Sequence, residues 1–187
     1  MKQYGMVMVF ALLVLMSMTI LGVASVSSSL MQNKMAVSME NKSLAFDAAE
    51  AAIAGVVFEA EDKVLLTNPN LLDPLSEARQ GAQIDLVNQD LSCFDNVNWT
   101  QRRVTEGGLN QGAQHNGAGK FQSNPDINSW SKTAFVREKS CLGSSNVIGG
   151  SNVNCHVFMV RGCGQVSGSA FAVANSLNVA VFAPASN

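Results

Sequence analysis

Four cysteines (Cys93, Cys141, Cys155 and Cys163), two histidines (His115 and His156) and the glycine stretch Gly117-Ala-Gly119-Lys120-Phe121 are where this chain could do chemistry. The glycine stretch lacks the first Gly of a phosphate loop and the Ser or Thr after its Lys, so it reads as a loop. Neither histidine lies beside a recognisable Ser or Cys nucleophile motif. Asp95 and Asp126 sit among asparagines without the spacing of a calcium loop. Asn41-Lys-Ser43 and Asn98-Trp-Thr100 match the glycosylation sequon, the first inside a predicted helix, and are read as coincidence. No pair of cysteines has the C-x2-C spacing of a zinc knuckle, and His156 directly after Cys155 gives poor chelate geometry. The expectation is a protein that is not an enzyme and carries no cofactor and no metal.

The cysteines then have a simpler use. All four come after a long apolar segment, and an even count behind an export signal favours two disulfides in an oxidising compartment. Three connectivities exist. On one continuous strand, at about 3.3 Å per residue, Cys155 and Cys163 would lie too far apart for the roughly 7 Å limit between bridged Cα atoms. That pairing is disfavoured. Of the other two, Cys141–Cys155 with Cys93–Cys163 is preferred.

The elements that position these residues divide the chain unevenly. Its 187 residues suit one domain plus an appendage. Twelve basic against 14 acidic side chains leave a net charge of −2, which implies no nucleic-acid partner. The 47% hydrophobic content is concentrated: residues 3 to 33 carry no charge, and Lys34 ends that stretch. The apolar run Met6–Val26 is long enough, at about 1.5 Å per helical residue, to cross a hydrocarbon core of about 30 Å. Ser17 and Thr19 within it can bond back to the helix's own carbonyls. Lys2 on the short flank keeps the N-terminus in the cytoplasm and sends the remainder outward. An ordinary secretory signal, cut after Ala24, is the competing reading, but the run exceeds the usual apolar region of about 7–15 residues.

The residues beyond the run favour retention. Ser43 to Asp62 is Ala-rich and helix-forming, with Phe46, Ala49, Ile53, Val56 or Val57, and Ala60 spaced as one apolar stripe. Asp47, Glu50 and Glu61 take other faces. Met6 to about Lys63 therefore reads as a single helix of about 85 Å, apolar all round and then amphipathic. A cleaved signal has no reason to continue as such a rod.

A short basic leader ending in Gly5, an apolar helix of membrane length and an amphipathic continuation resemble type IV pilins. More narrowly, Gly5-Met6-Val7-Met8-Val9, Leu21-Gly22-Val23 and Ser43-Leu-Ala-Phe-Asp-Ala-Ala-Glu-Ala-Ala52 resemble PilX-type minor pilins over about the first 60 residues. The resemblance implies cleavage between Gly5 and Met6 by a prepilin peptidase and N-methylation of Met6. It also implies an α+β, pilin-like fold in which the long N-terminal helix packs on a small antiparallel sheet. The expected segments are a leader (1–5), a transmembrane part (6–26), an amphipathic continuation (27–63) and an exported head (64–187). Most pilins carry a Glu at the fifth mature position, where this chain has Phe10. In the family that carboxylate pairs with the amine of a neighbour assembled before it, so its loss suggests a subunit with no neighbour ahead of it.

The implied function is that of a minor pilin that primes assembly at or near the pilus tip; a type II secretion pseudopilin and a tip adhesive subunit are the alternatives. Implied partners are other minor pilins, the major pilin, the peptidase and a tip adhesin. The implied location is the inner membrane with a periplasmic head, then the surface pilus that serves adhesion and twitching motility.

In the head, Asn68-Pro69 to Pro74 should break the rod and Leu75–Gln80 should add a short helical turn or two. Asn88–Ser131 reads as a long loop with weak strands, anchored by Trp99, Phe121 and Trp130. Thr133–Lys139 and Val153–Arg161 should be strands, Gly162–Ser169 a turn region and Ser169–Phe182 the returning strand. The Phe46–Val57 stripe is the expected cover for the sheet.

Overall fold

The computed structural model describes residues 4–61, 67, 70, 72–104, 125–139, 141 and 153–184. Residues 1–3 of the expected leader, Lys63, the Asn68-Pro69 break, His115, the 117–121 stretch and Phe121 lie outside the described residues. The chain divides into two compact units, Met1–Asn41 and Lys42–Asn187. One helix, α1 (Tyr4–Ala60), runs through both.

The second unit adds a short helix, α2 (Pro74–Gln80), and four strands: β1 (Thr100–Arg103), β2 (Ile127–Lys139), β3 (Val153–Val166) and β4 (Val173–Pro184). The strands form one antiparallel sheet in chain order, β1-β2-β3-β4. Helix α2 starts as local chemistry dictates. Asp73 caps it by accepting from the amides of Leu75 and Ser76, and Pro74 occupies the first turn, where its missing N–H costs nothing.

The buried face of α1 is smaller-residued than the expected stripe. Ala45, Ala48, Ala49, Ala52, Ile53, Val56 and Glu59 are buried, while Phe46 and Val57 remain 45% and 41% exposed. The reason lies on β3. Gly162 and Gly164 bring its backbone so close to α1 that an added Cβ would stand 1.9 Å from the Ala49 carbonyl oxygen and 1.8 Å from that of Ala45. A helix pressed this close presents Ala to the strand and turns its phenylalanine aside. Ser129 locks the same seam by donating its buried hydroxyl to the Ala48 carbonyl at 2.6 Å. Ile53, Val56 and Val160 make the apolar cluster above it, with Leu75 and Val179 at its margin.

Two strand limits correct the sequence reading. Gly162-Cys-Gly-Gln-Val166 continues β3 rather than turning, because its glycines serve close helix approach. The turn falls at Ser167-Gly168, where Gly168 takes φ +84° and the Ser169 amide donates to the Val166 carbonyl. Strand β2 begins at Ile127, six residues before the expected start, since Asn128, Ser129 and Ser131 pair with β3 despite their polar character. At the bulge between Phe135 and Arg137, the loop before the sheet supplies the missing partners. The Ile84 amide donates to the Phe135 carbonyl at 3.0 Å, and the Gln83 side chain donates to that of Val136.

Disulfides join Cys93 to Cys163 and Cys141 to Cys155, with Cα separations of 5.9 and 5.0 Å. The first ties the loop after α2 to the sheet face turned away from α1; the second ties the chain beyond β2 to β3.

Candidate functional site: the apolar helix and the anchored head

Tyr4–Ala60 is helical because little in it opposes a helix: Ala, Leu and Met recur along it, Gln, Lys and Glu join from Gln32 onward, and no Pro interrupts it. Its part within the first unit exposes large apolar side chains on every face, among them Met6 (75% exposed), Phe10 (69%), Leu12, Leu15, Ile20 and Leu21. Helices apolar all round belong inside a protein core or a membrane. Mean hydropathy reaches 2.6 in its most apolar window, so this helix is long and apolar enough to cross a membrane. The hydroxyls inside the run are satisfied locally. Ser17 donates to the Val14 carbonyl and Thr19 to that of Met16, each at 2.8 Å.

Phe10 sits in this helix with no acidic residue nearby in sequence; the first carboxylate along the chain is Glu40. Of the expected cleavage pair, Gly5 is described only as helical backbone, and Met6 is an exposed helical side chain. The structure thus places Met6 and Phe10 on the uncharged first part of α1 and leaves Cys93, Cys141, Cys155 and Cys163 in the other unit.

At the other end of α1, Glu59 is fully buried and meets Arg102 of β1, Oε2 to Nη1 at 3.2 Å. The same guanidinium reaches Glu77 of α2 at 2.5 Å and donates to the Leu72 carbonyl at 3.0 Å. One arginine therefore binds α1, β1 and α2 together. Sequence periodicity had no means of finding it, since Glu59 lies on the apolar side of the helix and its partner is more than forty residues away.

On the sheet face away from α1, the loop 84–98 lies over β2. Asp95 accepts from the Val97 amide, from Gln89 Nε2 at 2.6 Å and from Trp99 Nε1 at 3.2 Å. The Val97 amide first, then Gln89, holds its carboxyl below the usual range. Asp85 is lowered in the same way, chiefly by the Asn88 side chain and then by the Val87 and Asn88 amides. Lys132, buried beneath the loop, donates to the Asp95 carbonyl and to Asn96 Oδ1; burial pushes its pKa down, opposed by the Asp95 charge. Trp130 is buried and donates to the Cys93 carbonyl at 3.3 Å, and Trp99 is half-buried. Both anchor the loop as the sequence suggested.

His156 is buried against Phe135, with Nε2 3.4 Å from Glu138 Oε1. No group of three or more His, Cys, Asp and Glu side chains suited to a metal comes together among the described residues.

An uncharged run of membrane length, continuous in sequence with an alanine face that packs on an antiparallel sheet, is a pilin-like α+β layout. Residues 5–54 match the PilX N-terminal family. The match starts at Gly5 and ends within the alanine face, so it spans the apolar run, Phe10 and most of the seam. It supports a type IV pilus minor pilin and points to a structural rather than a catalytic protein. The rest of the head, from residue 55 onward, lies outside it. Neither the curated proteins nor the solved structures give a match. The PilX-type segment and its apolar helix are consistent with inner-membrane anchoring and with contacts to other pilus components.

Proposed function

We propose that this chain is a minor pilin that primes assembly of a type IV pilus and occupies a position at or near its tip. The observation that carries the reading is Phe10. It stands in a PilX-type helix, uncharged from residue 3 to 33, where most pilins hold the carboxylate that engages a preceding subunit's amine. A subunit that leads has no such amine ahead of it, and an unpaired carboxylate at that depth would be costly.

Assembly then proceeds without bond-making by the subunit itself. A prepilin peptidase cuts between Gly5 and Met6, and Met6 is methylated. The apolar helix holds the subunit in the inner membrane with its head in the periplasm. On assembly that helix leaves lipid for a bundle of like helices. Lipid tails are as apolar as Leu, so the transfer is driven by side-chain packing rather than by bulk hydrophobicity. The head, fixed by two disulfides and the Arg102 cluster, meets other minor pilins, the major pilin or a tip adhesin.

Deletion of the gene, with pili counted by electron microscopy, tests the priming role. Surface pili should fall while the major subunit remains stable in the membrane. Gold labelling of an epitope in the head tests the position. Label confined to pilus ends supports the proposal, and label spread uniformly along shafts defeats it.

A further inference from the structure

Alternation along β3 sorts its side chains between two faces. Gly162 and Gly164 lie against α1, so Val157, Met159 and Cys163 belong to the face turned away from it. Register sets Arg137 and Lys139 of β2 opposite Val157 and Cys155, and Asn178 of β4 opposite Met159, on that same face. An open groove of about 770 Å³ lies there, lined by these side chains and by the chain at 83–86. That stretch forms a wall because it is stitched to the bulge in β2. The Ile84 amide donates to the Phe135 carbonyl, and Gln83 Nε2 to that of Val136.

Two features of this groove go unused within the head. Its floor, Val157 and Met159, is apolar yet only half-buried, and Leu86 at the wall is exposed. Arg137 and Lys139 are exposed too, and among the described residues neither side chain makes an ion pair or a hydrogen bond. Asp85, the carboxylate among the described lining residues, is committed to its own turn. Its Oδ1 accepts from the Val87 and Asn88 amides, and its Oδ2 from the Asn88 side chain at 2.8 Å. Glu138, between the two cations in sequence, accepts from Asn154 and meets His156 on the opposite face. An apolar strip is therefore edged by two cations that lack a counter-charge. The segment 140–152, which links β2 to β3, carries no charged side chain and does not supply one.

We infer that this groove docks an extended segment of another protein chain that carries an apolar side chain and, two residues on, a carboxylate. The apolar side chain rests on Val157 and Met159, and the carboxylate lies between Arg137 and Lys139. The spacing follows from strand geometry. Alternate residues of an extended chain share a face and lie about 6.6 Å apart, while β2 and β3 are about 4.8 Å apart. A peptide that crosses the strands with its apolar residue on β3 thus sets the acid two places on over the cations of β2. Such docking is independent of Phe10 and of where in a filament the subunit sits.

Methyl NMR on the full oxidised chain, isotope-labelled at its methionine methyl groups and held in nonionic detergent, tests this with the blocked peptide acetyl-Gly-Leu-Ser-Glu-Gly-amide. The Met159 signal is the one lost in Met159→Leu. Titration should move that signal saturably, and added salt should weaken the binding. Gln in place of the peptide's Glu should weaken it several-fold, and Ser in place of its Leu should weaken it as well. Arg137→Gln combined with Lys139→Gln should weaken the Glu peptide roughly fivefold, the scale of exposed ion pairs, and leave the Gln peptide unchanged. Both positions are exposed, so the fold should persist, which near-ultraviolet circular dichroism checks. Lys42→Gln, on α1, should bind as the parent does. Absence of a saturable shift at Met159 overturns the inference. So does equal binding of the Gln peptide, or undiminished binding of the Glu peptide to the double variant. An equal shift from sodium acetate would mark an anion site, and one from phosphatidylglycerol without peptide a lipid surface. A shift that grows with protein concentration alone would mark a second copy of the chain, and each of these three overturns it too.

Discussion

One added carbon at Gly162 or Gly164 would have to occupy the space of a helix carbonyl, Ala49 in the first case and Ala45 in the second. Backbone is a poor neighbour to displace, so α1 must lift from β3 to admit it. Gly162→Ala and Gly164→Ala should each cost about 3 kcal/mol or more, measured as a lowered urea midpoint of the oxidised chain. Gly81→Ala is the control. Its Cβ would meet only the Ala78 carbonyl, at an ordinary 3.4 Å, and should change stability little. Phe10 makes the opposite point, that of a position where a polar group is missing. Phe10→Glu should not raise pilus number, because a leading subunit offers that carboxylate no partner. An acidic residue in a membrane helix costs about 2.5–3.5 kcal/mol on insertion scales, so pilus counts should stay level or fall. Counts above wild type would contradict the proposed reason for the missing carboxylate.

At the scale of elements, the loop 84–98 is held by carboxylates that accept several donors each. Their pKa values are depressed, so the stability they contribute is present above the ordinary carboxylate value of about 3.9 and is lost as pH falls through the folded values. Tryptophan fluorescence, with Trp99 on the Asp95 carboxylate and Trp130 beneath the loop, should change below about pH 4 while the sheet persists. Asp95→Asn should flatten that response. An unchanged acid profile would show that these carboxylates do not hold the loop. Helix α1 was legible in the sequence because an uncharged apolar run over residues 3–33 leads, with no Pro between, into the apolar spacing from Phe46 to Ala60. Helix α2 was legible through its Asp-Pro start. The misread parts share one cause. Phe46 fits a stripe by spacing, although Ala49, Ile53 and Val56 of that stripe are buried, and Gly162 to Val166 fit a turn by composition. What decided both was a helix–strand approach so close that only Ala and Gly fit, and spacing along one chain does not reveal the gap between two elements. The Glu59–Arg102–Glu77 cluster escaped for the same reason, since its members come from three elements. On the sheet face away from α1, the sequence showed an Asn- and Gln-rich loop and a tryptophan, but only strand register sets Asn128 beside Gln165.

For the whole molecule, the two units answer different physical demands. In the first unit, residues 6–26 suit surroundings without water, with local hydroxyl bonds and no charge before Lys34. Residues 42–187 form a small sheet domain that relies on an alanine seam, one shared arginine and two bridges. A minor pilin must keep the first unit and use it after export. Such a subunit loses only Met1–Gly5, whereas an exported domain with an ordinary signal loses the apolar run itself. Intact-mass and N-terminal fragment mass spectrometry of the protein extracted from its native membrane separates the two. The expected result is a chain that begins at Met6 and carries one methyl group on its amine; a chain that begins at Ser25, with no methyl group, would contradict the pilin reading.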